Sequence, residues 1–568
     1  MHRYLIASLS LLALMAVSCR DKKEVTVTID EAEMLPHLPH VANTVSQYAV
    51  LEGGEMVPVQ GYGVVIGLGQ NGAREVPAHL SDYLTNYLAK QGIGSATKGL
   101  GSLSPLRMLQ DPDTAVVLMG GAIPFGSPSG KSFDVSVTAM PNTQVRSLQG
   151  GYLLPGELRL SWMGQATPGG PTFPLAEAAG PVFVNPFIDP SNEEDLVRWR
   201  EGKIIGGGKV LKDQPLRIVL RRPDYARADL IRRRINDTFP TIKKVADAKN
   251  NTTIELNIPP SWRGDYEHFL GLVMHISLVS GAEWERHAKT VIEAMELPEA
   301  SHNSLSLILE AMGRQVIPML RSLYSSRNSS AAFYAARAGA RLKDDMSAQV
   351  LVRFAQAPSP LQVKAIEELG RNHYLLVPPQ VLADLVNDEN SSVRIAAYEA
   401  MLQRGDRSLV RRIRIDDYVT LDVVTSQRSY VIYATQSNEA KIVLFGKDME
   451  VSRPIFFRGL DNMLTVRATE GEELSVFRRL PDGRFSDLVK CEPKVESLVR
   501  LLAARPDAKP EGGINFSMGL TYGQVLAVLY RMCENNDIRA RFVLQPAPNE
   551  MKIYKGEALE GRPDAPGM

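Results

Sequence analysis

Two glycine-rich segments have spacings that could bind a phosphate group. The first, residues 67–72, is a G-x-G-x-x-G sequence that follows the apolar residues 64–66. Dinucleotide sites with this spacing need a helix that starts at the turn and an acidic residue roughly 20 positions further on. Here Pro77 delays the helix, and residues 92–101 contain no Asp or Glu. We therefore interpret these glycines as a tight turn that binds no cofactor.

The second segment, residues 126–132, ends in Gly130-Lys131-Ser132 like a phosphate-binding loop. Such a loop requires another glycine five positions before Gly130, where this chain has Phe125. Pro128 also removes a backbone amide that a phosphate would need. We reject this second phosphate site as well.

The histidines do not form a recognisable metal or catalytic motif. No H-E-x-x-H or G-x-S-x-G sequence is present. His268 and His275 lie seven residues apart in a predicted helix, two turns from each other, which is poor geometry for a shared metal without further ligands. We therefore expect no catalytic residue and no metal site, and rank an envelope enzyme last among the possible functions.

The N-terminus has the pattern of an export signal. A basic start precedes the apolar residues 4–17, and small residues then lead to Cys19 and a charged stretch. This pattern resembles a bacterial lipoprotein signal. We expect residues 1–18 to be a signal peptide, Cys19 to be lipidated, and residues 19–45 to form a tether. An ordinary cleaved signal peptide with a coincidental cysteine is the alternative.

Cys491 and Cys533 are the remaining cysteines. In an oxidising periplasm they form a candidate disulfide. Closing that loop would contribute on the order of 3–4 kcal/mol in the chain-entropy model. Two separately buried free thiols are the alternative.

Length and charge limit the classes of protein that fit. The 568 residues predict three or four domains. Lys plus Arg and Asp plus Glu both number 64, so the net charge is zero. Since proteins held to nucleic acid by overall charge carry excess cations, we expect no nucleic-acid partner.

The periodicity predicts a multidomain α+β fold. Residues 46–200 are expected to form an N-terminal α/β domain with strands at 57–68, 114–119 and 132–139 and a helix at 77–92. Residues 201–290 predict a second, two-layer β-α-β-α unit that begins near the glycines 206–208.

The second half of the chain is predicted to contain a helical region, a strand-rich domain and a tail. Residues 295–412 predict helices, and Asn328-Ser329-Ser330 recurs 62 positions later as Asn390-Ser391-Ser392 before an alanine-rich segment. This predicts HEAT-like helical repeats, with an ordinary helical bundle as the alternative. Residues 425–545 predict a strand-rich α+β domain, and residues 546–568 a disordered tail.

Several segments of the first half resemble one known family. Residues 60–68 are a Gly-Tyr-Gly strand that runs into Gly-Leu, residues 134–137 read Asp-Val-Ser-Val, and residues 147–154 read Ser-Leu-Gln-Gly-Gly-Tyr-Leu-Leu. Residues 216–237 add a strand, an Arg-Arg-Pro-Asp turn and a helix. In order and spacing, roughly residues 45–280 resemble the flagellar P-ring protein family.

The resemblance implies a structural, non-enzymatic subunit of a homo-oligomeric ring. That ring lies in the periplasm around the distal rod of the flagellar basal body and supports motility. The expected partners are further copies of the chain, the rod, the L-ring protein and peptidoglycan, with an outer-membrane leaflet reached through the lipid on Cys19. No cofactor is implied.

The lipoprotein-like Cys19 and the whole second half depart from the family. Our leading hypothesis is a membrane-tethered P-ring-like subunit whose helical repeats dock another protein. The alternative is an envelope lipoprotein scaffold or binding module, unrelated to motility, that reuses the P-ring domain.

Overall fold

The computed structural model describes most of the chain between residues 42 and 546. The described ranges are 42–52, 56–94, 104–124, 126–160, 173–185, 198–214, 216–416, 418–460, 462–479, 484–504 and 518–546. The predicted signal peptide, Cys19, nearly all of the tether and the tail after Pro546 lie outside these ranges.

The first part of the chain forms a closed antiparallel barrel rather than the predicted α/β arrangement. Strands β2 to β7 close in the order β2-β3-β4-β7-β6-β5. Alternate residues such as Val135 and Val137 fill the barrel interior, as the period of two predicts. The elements in chain order are α1 (Val45–Tyr48), β1 (Ala49–Glu52), β2 (Val57–Ile66), α2 (Ala78–Gln91), α3 (Pro105–Leu109), β3 (Ala115–Ile123), β4 (Ser132–Ala139), β5 (Tyr152–Leu160), β6 (Ala176–Pro181) and β7 (Glu201–Val210).

Helix α2 confirms the helix predicted at residues 77–92. Leu80, Leu84 and Leu88 are its buried residues and pack beside the barrel strands. Gly92 ends the helix in the left-handed conformation, with φ +96°, which a glycine adopts without steric cost.

Two strands lie in different units from those predicted. β7 was assigned to the second unit, but it pairs antiparallel with both β4 and β6 and so closes the barrel. β1 precedes the barrel in the chain but pairs with β8 (Leu216–Leu220) of the second unit. Both assignments depend on pairing between distant segments, which local periodicity does not report.

The second unit is a four-stranded antiparallel sheet packed against helices. The strand order is β1-β8-β10-β9. Ile218 and Ile254 of the sheet share a core with Ile231 and Phe269 of the helices, so the predicted two-layer packing is present. The further elements are α4 (Tyr225–Thr238), β9 (Ala246–Ala248), β10 (Thr253–Leu256) and α5 (Tyr266–His275).

A run of helices follows, as predicted. The Asn328 side chain accepts hydrogen bonds from the amides of Ser330 and Ala331, and Asn390 accepts one from Ser392. The two asparagines that mark the 62-residue recurrence therefore cap their helices, while HEAT-type stacking stays a prediction. The helices are α6 (Ala282–Met295), α7 (His302–Ala311), α8 (Ile317–Leu323), α9 (Ser329–Arg341), α10 (Met346–Gln356), α11 (Gln362–Arg371), α12 (Pro379–Leu385) and α13 (Ser391–Gln403).

The last part of the described chain contains two sheets and two helices. The five-stranded sheet has the order β11-β12-β14-β13-β19, and the four-stranded antiparallel sheet has the order β15-β16-β17-β18. Thr521 and Gln524 form a capping box at the second helix. The elements are β11 (Val410–Ile415), β12 (Val419–Val424), β13 (Val431–Ala434), β14 (Lys441–Phe445), β15 (Ile455–Gly459), β16 (Leu464–Ala468), β17 (Leu474–Arg478), β18 (Val489–Cys491), α14 (Val495–Ala503), α15 (Tyr522–Glu534) and β19 (Arg541–Leu544).

The five-stranded sheet joins the helical region to the C-terminal helices. In β14, Val443 and Phe445 pack into the core of the helical region, while Ile442 and Leu444 pack into the core that contains α14 and α15. Every residue of β14 is consequently buried. The five-stranded sheet begins with β11, before the expected domain boundary near residue 425, and it packs on the helical region with one face and on α14 and α15 with the other. The helical region and the C-terminal region are therefore not separate domains at that boundary.

No helix within the described ranges is long and apolar enough to cross a membrane.

The candidate disulfide is not formed in the structure. Cys491 ends β18 and Cys533 lies in the last turn of α15, and both are half-buried free cysteines. Burial raises the pKa of each thiol to about 12. The alternative of two separate thiols describes this arrangement.

We predict that both thiols react only after unfolding. Because the thiolate is the nucleophile and both pKa values are raised, a chain that begins at residue 20 should react slowly with Ellman's reagent in its native state. In denaturant without reductant it should release two equivalents, and Cys491→Ser should release one. If no equivalent is released until reductant is added, the two cysteines form a disulfide.

Candidate functional site

An internal carboxylate occupies the first glycine-rich turn. Asp113 Oδ2 accepts a hydrogen bond from the Gly67 amide at 3.1 Å, and Oδ1 accepts one from the Gly69 amide at 2.6 Å. Gly67 and Gly69 have φ values of +82° and +63°, and helix α2 begins only at Ala78. The amides that would hold a pyrophosphate are thus already bound, which supports the interpretation of a structural turn.

The second glycine-rich segment is likewise closed by internal contacts. The Ser129 amide donates to Asp213 Oδ1 at 2.7 Å, and the Gly130 amide donates to the Val210 carbonyl at 2.7 Å. These bonds join the segment to the end of β7 and leave neither amide for a phosphate.

Two cavities lie away from both segments. One, of about 340 Å³, is lined by residues 75–77, His79 and residues 140–143, but the Thr143 hydroxyl already donates to the Met140 carbonyl at 2.7 Å. The other, of about 510 Å³, has a mixed lining of acidic and basic side chains. Its lining residues are Tyr430, Asp448, Glu450, Val451, Ser452, Arg453, Glu470, Gly471 and Arg539. Within the described ranges, no group of three or more His, Cys, Asp or Glu side chains could hold a metal ion.

The polar groups with the most specific geometry lie instead where one unit of the chain meets another. The first such place, here called the barrel junction, joins β4 and β7 to the C-terminal region. Asp134 Oδ1 accepts from the Gly206 amide at 2.7 Å and from the Asn438 amide at 3.2 Å. Lys203 Nζ lies 3.9 Å from the other carboxylate oxygen. The Asp134 side chain thereby connects the neighbouring barrel strand β7 with the C-terminal region.

Close packing surrounds this carboxylate. Gly206 has φ +62°, and a Cβ at that position would overlap the carbonyl oxygen of Asn438. Next to it, Phe183 of the barrel chain belongs to the C-terminal core, with its ring centroid 6.0 Å from that of Tyr522. The barrel junction is therefore a packed interior contact in addition to a polar one.

The second place, here called the charged junction, joins α5 to the helical region. His268 Nε2 lies 2.7 Å from Glu310 Oε1, and Arg341 reaches both Glu368, at 3.2 Å, and Asp265, at 3.5 Å. Burial alone would raise the pKa of the Glu368 carboxyl, but the charges of Arg341 and then Arg337 outweigh it, so that its pKa is lowered. Glu368 is thus an ionised carboxylate inside the protein at neutral pH.

The charged junction also contains unsatisfied polar atoms. Glu310 Oε2 and Arg337 Nε are buried without a hydrogen-bond partner, although Arg337 Nη2 donates to the Asn303 carbonyl at 3.3 Å and its guanidinium lies 4.7 Å from the Tyr334 ring centroid. Burial lowers the pKa of Arg337. Buried charges of this kind cost free energy unless they are paired, so the cluster fixes one arrangement of the two units.

Neither junction was predicted from the sequence. Asp134 was noted only as part of the Asp-Val-Ser-Val segment, and His268 only for its poor metal-binding geometry with His275. Of the predicted site residues, Cys19 lies outside the described ranges, and Cys491 and Cys533 are free thiols on separate elements.

The barrel, the sheet unit and the helix α6 coincide with the part of the chain that is similar to known proteins. Residues 44–296 match the family model of the flagellar P-ring protein. The resemblance inferred from the sequence is therefore confirmed, and the match extends it through α6. The helices from α7 onward and both C-terminal sheets lie beyond the matched range.

Individual P-ring proteins give the same result. The chain is 26% identical over 242 residues to the flagellar P-ring protein of Bradyrhizobium sp. strain BTAi1, covering 41% of this chain and 59% of the relative. The chain is 28% identical over 241 residues to the protein of Anaeromyxobacter dehalogenans strain 2CP-C, which covers 41% of this chain and 58% of the relative. It is 27% identical over 227 residues to the protein of Aquifex aeolicus, which covers 38% of this chain and 57% of the relative. The chain thus spans somewhat less than two thirds of the length of these relatives.

The barrel junction predicts a difference between two glycines. Gly206→Ala should lower the free energy of unfolding by about 3 kcal/mol or more, because left-handed strain is added to overlap with Asn438. Gly130→Ala is the matched control, with φ +85° and no atom within 4 Å of the new Cβ. It should cost only about 1 kcal/mol. Urea unfolding measures both variants, and equal losses would contradict the packed junction.

The charged junction predicts a pH-dependent contribution from Glu368. Because its pKa is lowered, its stabilisation is present above the ordinary carboxyl pKa and is lost as the pH falls through the folded value. Glu368→Gln should cost about 3 kcal/mol at neutral pH, and the difference from the unmodified chain should narrow below about pH 4. Urea unfolding at several pH values checks this.

The neighbouring residue provides the control. Glu367 is paired with Arg371 on the surface, with both side chains about half exposed, so Glu367→Gln should change stability by less than about 1 kcal/mol. A Glu368→Gln effect that is equally small, or independent of pH, would show that the buried ion pair does not stabilise the junction.

Proposed function

We propose that this chain is a structural subunit of the flagellar P ring, or of a P-ring-like periplasmic ring, around the distal rod. The observation that carries the proposal is the match of residues 44–296 to the P-ring family. The range includes two complete folded units, the barrel and the four-stranded sheet with its helices, so the resemblance follows whole cores rather than a short motif.

The geometry of the described residues supports a structural role and not an enzymatic one. Both segments that could bind phosphate are filled by internal carboxylates and carbonyls. The strongest polar clusters instead fix one unit of the chain against another. Subunits of a ring need this rigidity, because repeated heterologous contacts close only at a defined angle.

The region beyond residue 296 would form an added layer on such a ring. Its helices carry the capped, alanine-rich recurrence, and we propose that they stack as HEAT-like repeats and dock another protein of the motor or envelope. The rod, the L-ring protein, peptidoglycan and further copies of the chain are the proposed neighbours.

The N-terminal signal completes the proposal. We propose that Cys19 is lipidated and anchors the subunit from the periplasm to the outer membrane. Cys19→Ala should then release the protein from the membrane fraction into the soluble periplasmic fraction, as followed by immunoblotting. Retention of the variant in the membrane fraction would contradict the anchor and leave the ring proposal untouched.

Electron cryotomography of motors tests the ring proposal. In cells without this gene, the ring density around the distal rod should be missing and swimming should be lost, and the full-length gene should restore both. A motor that is unchanged in the deletion strain would contradict the proposal. That outcome would favour an envelope lipoprotein scaffold unrelated to motility.

A further inference from the structure

The four-stranded sheet β15-β16-β17-β18 has one covered and one open face. Leu464 and Val476 point toward the core with α14 and α15. Residues of the opposite parity form the open face, here called the basic–aromatic face. Its strand residues are Phe456, Arg458, Arg467, Ser475, Phe477 and Lys490, with the buried Thr465 between them.

The strand register aligns these residues in two rows. Phe456 pairs with Arg467, and Arg467 with Ser475 on the next strand. Lys490 pairs with Ser475 and ends this first row. The second row runs from Arg458 through Thr465 to Phe477. The three cations therefore alternate with aromatic and hydroxyl side chains across a single surface.

The cations of this face have no carboxylate partner among the described residues. Arg458 lies over the Phe456 ring at 5.1 Å from its centroid, and Arg467 over the Phe477 ring at 5.8 Å. None of the ion pairs found in the described ranges includes Arg458, Arg467 or Lys490. The outward positions of the four strands contain no Asp or Glu, so the positive charge of the face is uncompensated there.

Exposed apolar side chains surround the cations. Phe456 is 65% exposed and Phe485 66%, while Leu488 is 46% and Met463 40% exposed. The Phe485 ring contacts Phe477 edge-on, with centroids 5.9 Å apart, so it continues the second row. Large apolar groups that remain this exposed on one face mark an interaction surface.

The charge distribution decides between possible occupants. A second copy of the face would bring three uncompensated cations against three others, which like-charge repulsion disfavours. The register places the face across all four strands of the sheet, so its cations and rings are spread over a broad surface. A broad anionic surface that also accepts apolar side chains fits both the charge and the exposed rings.

We propose that the basic–aromatic face binds the surface of an anionic lipid membrane. Phe456, Phe485 and Leu488 would enter the boundary between headgroups and acyl chains, where exposed apolar side chains bury their area. The Arg458 and Arg467 guanidinium groups would donate to lipid phosphates, for which their planar geometry is suited. Lys490 adds a third electrostatic contact.

This inference goes beyond the proposed ring function and is independent of it. The face lies outside residues 44–296, which carry the P-ring match. A failure of the membrane proposal would therefore leave the ring proposal standing, and an unchanged motor in the deletion strain would not affect vesicle binding.

Vesicle co-sedimentation tests the membrane proposal. The chain from residue 20 onward, which lacks the predicted signal peptide and Cys19 but keeps every described residue, is mixed with vesicles of phosphatidylcholine alone or with equal parts of phosphatidylglycerol. Binding should require phosphatidylglycerol. The triple variant Arg458→Gln, Arg467→Gln, Lys490→Gln should bind about a hundredfold more weakly, at about fivefold per cation.

A matched triple variant controls for net charge. Lys90→Gln, Arg217→Gln, Lys364→Gln removes three exposed cations from other units and should bind vesicles like the unchanged chain. The variant Phe456→Gln, Phe485→Gln keeps the charge and should also weaken binding, by about tenfold, because both rings are exposed and lose their apolar burial.

Three outcomes would overturn the proposal. Equal binding to both vesicle types would show that anionic headgroups are not recognised. Equal losses in the two triple variants would show attraction by net charge alone. Binding to soluble polyglutamate without binding to vesicles would identify the occupant as an acidic protein segment instead of a membrane.

Discussion

The pairing of β7 with β4 on one side and β6 on the other is the constraint on which the architecture depends. It closes the barrel, and the same strand carries Gly206, whose backbone allows the close approach of Asn438. Asp134 of β4 binds the amides of both residues. Closure of the barrel and its attachment to the C-terminal region are thus set by one pair of neighbouring strands.

Beyond this attachment, neighbouring regions of the chain contribute side chains to the same hydrophobic cores. Phe183 extends the barrel chain into the C-terminal core, and the five-stranded sheet divides its side chains between that core and the helical region. The charged junction connects the helical region with α5 of the sheet unit. The region beyond the P-ring match is therefore held against the matched region at the two junctions and also through α6, whose Val291 and Met295 share the core of the later helices.

Much of the fold could be predicted from local patterns. The periodicity of Leu80, Leu84 and Leu88 located α2, the capping asparagines located two helices, and the strand at residues 132–139 was predicted with the bounds that the structure shows. These elements are specified by their own side chains, which is why a single sequence reveals them.

The errors share one physical cause, which is dependence on distant partners. β7 has three glycines in succession and no clear alternation, and only its pairing identifies it as a barrel strand. The junction roles of Asp134 and Glu368 arise from residues that are far away in the chain. The pairing of Cys491 and Cys533, which the periplasmic compartment favours, stays a prediction, because the structure places the two as free thiols on separate elements.

A reconstruction of isolated basal bodies by electron cryomicroscopy tests the central claim most directly. We expect a ring around the rod in which each subunit contains the six-stranded barrel, with the C-terminal region attached beside β4 and β7 as a continuous outer layer. Basal bodies that lack this chain, or a ring whose subunits show no such barrel, would contradict it.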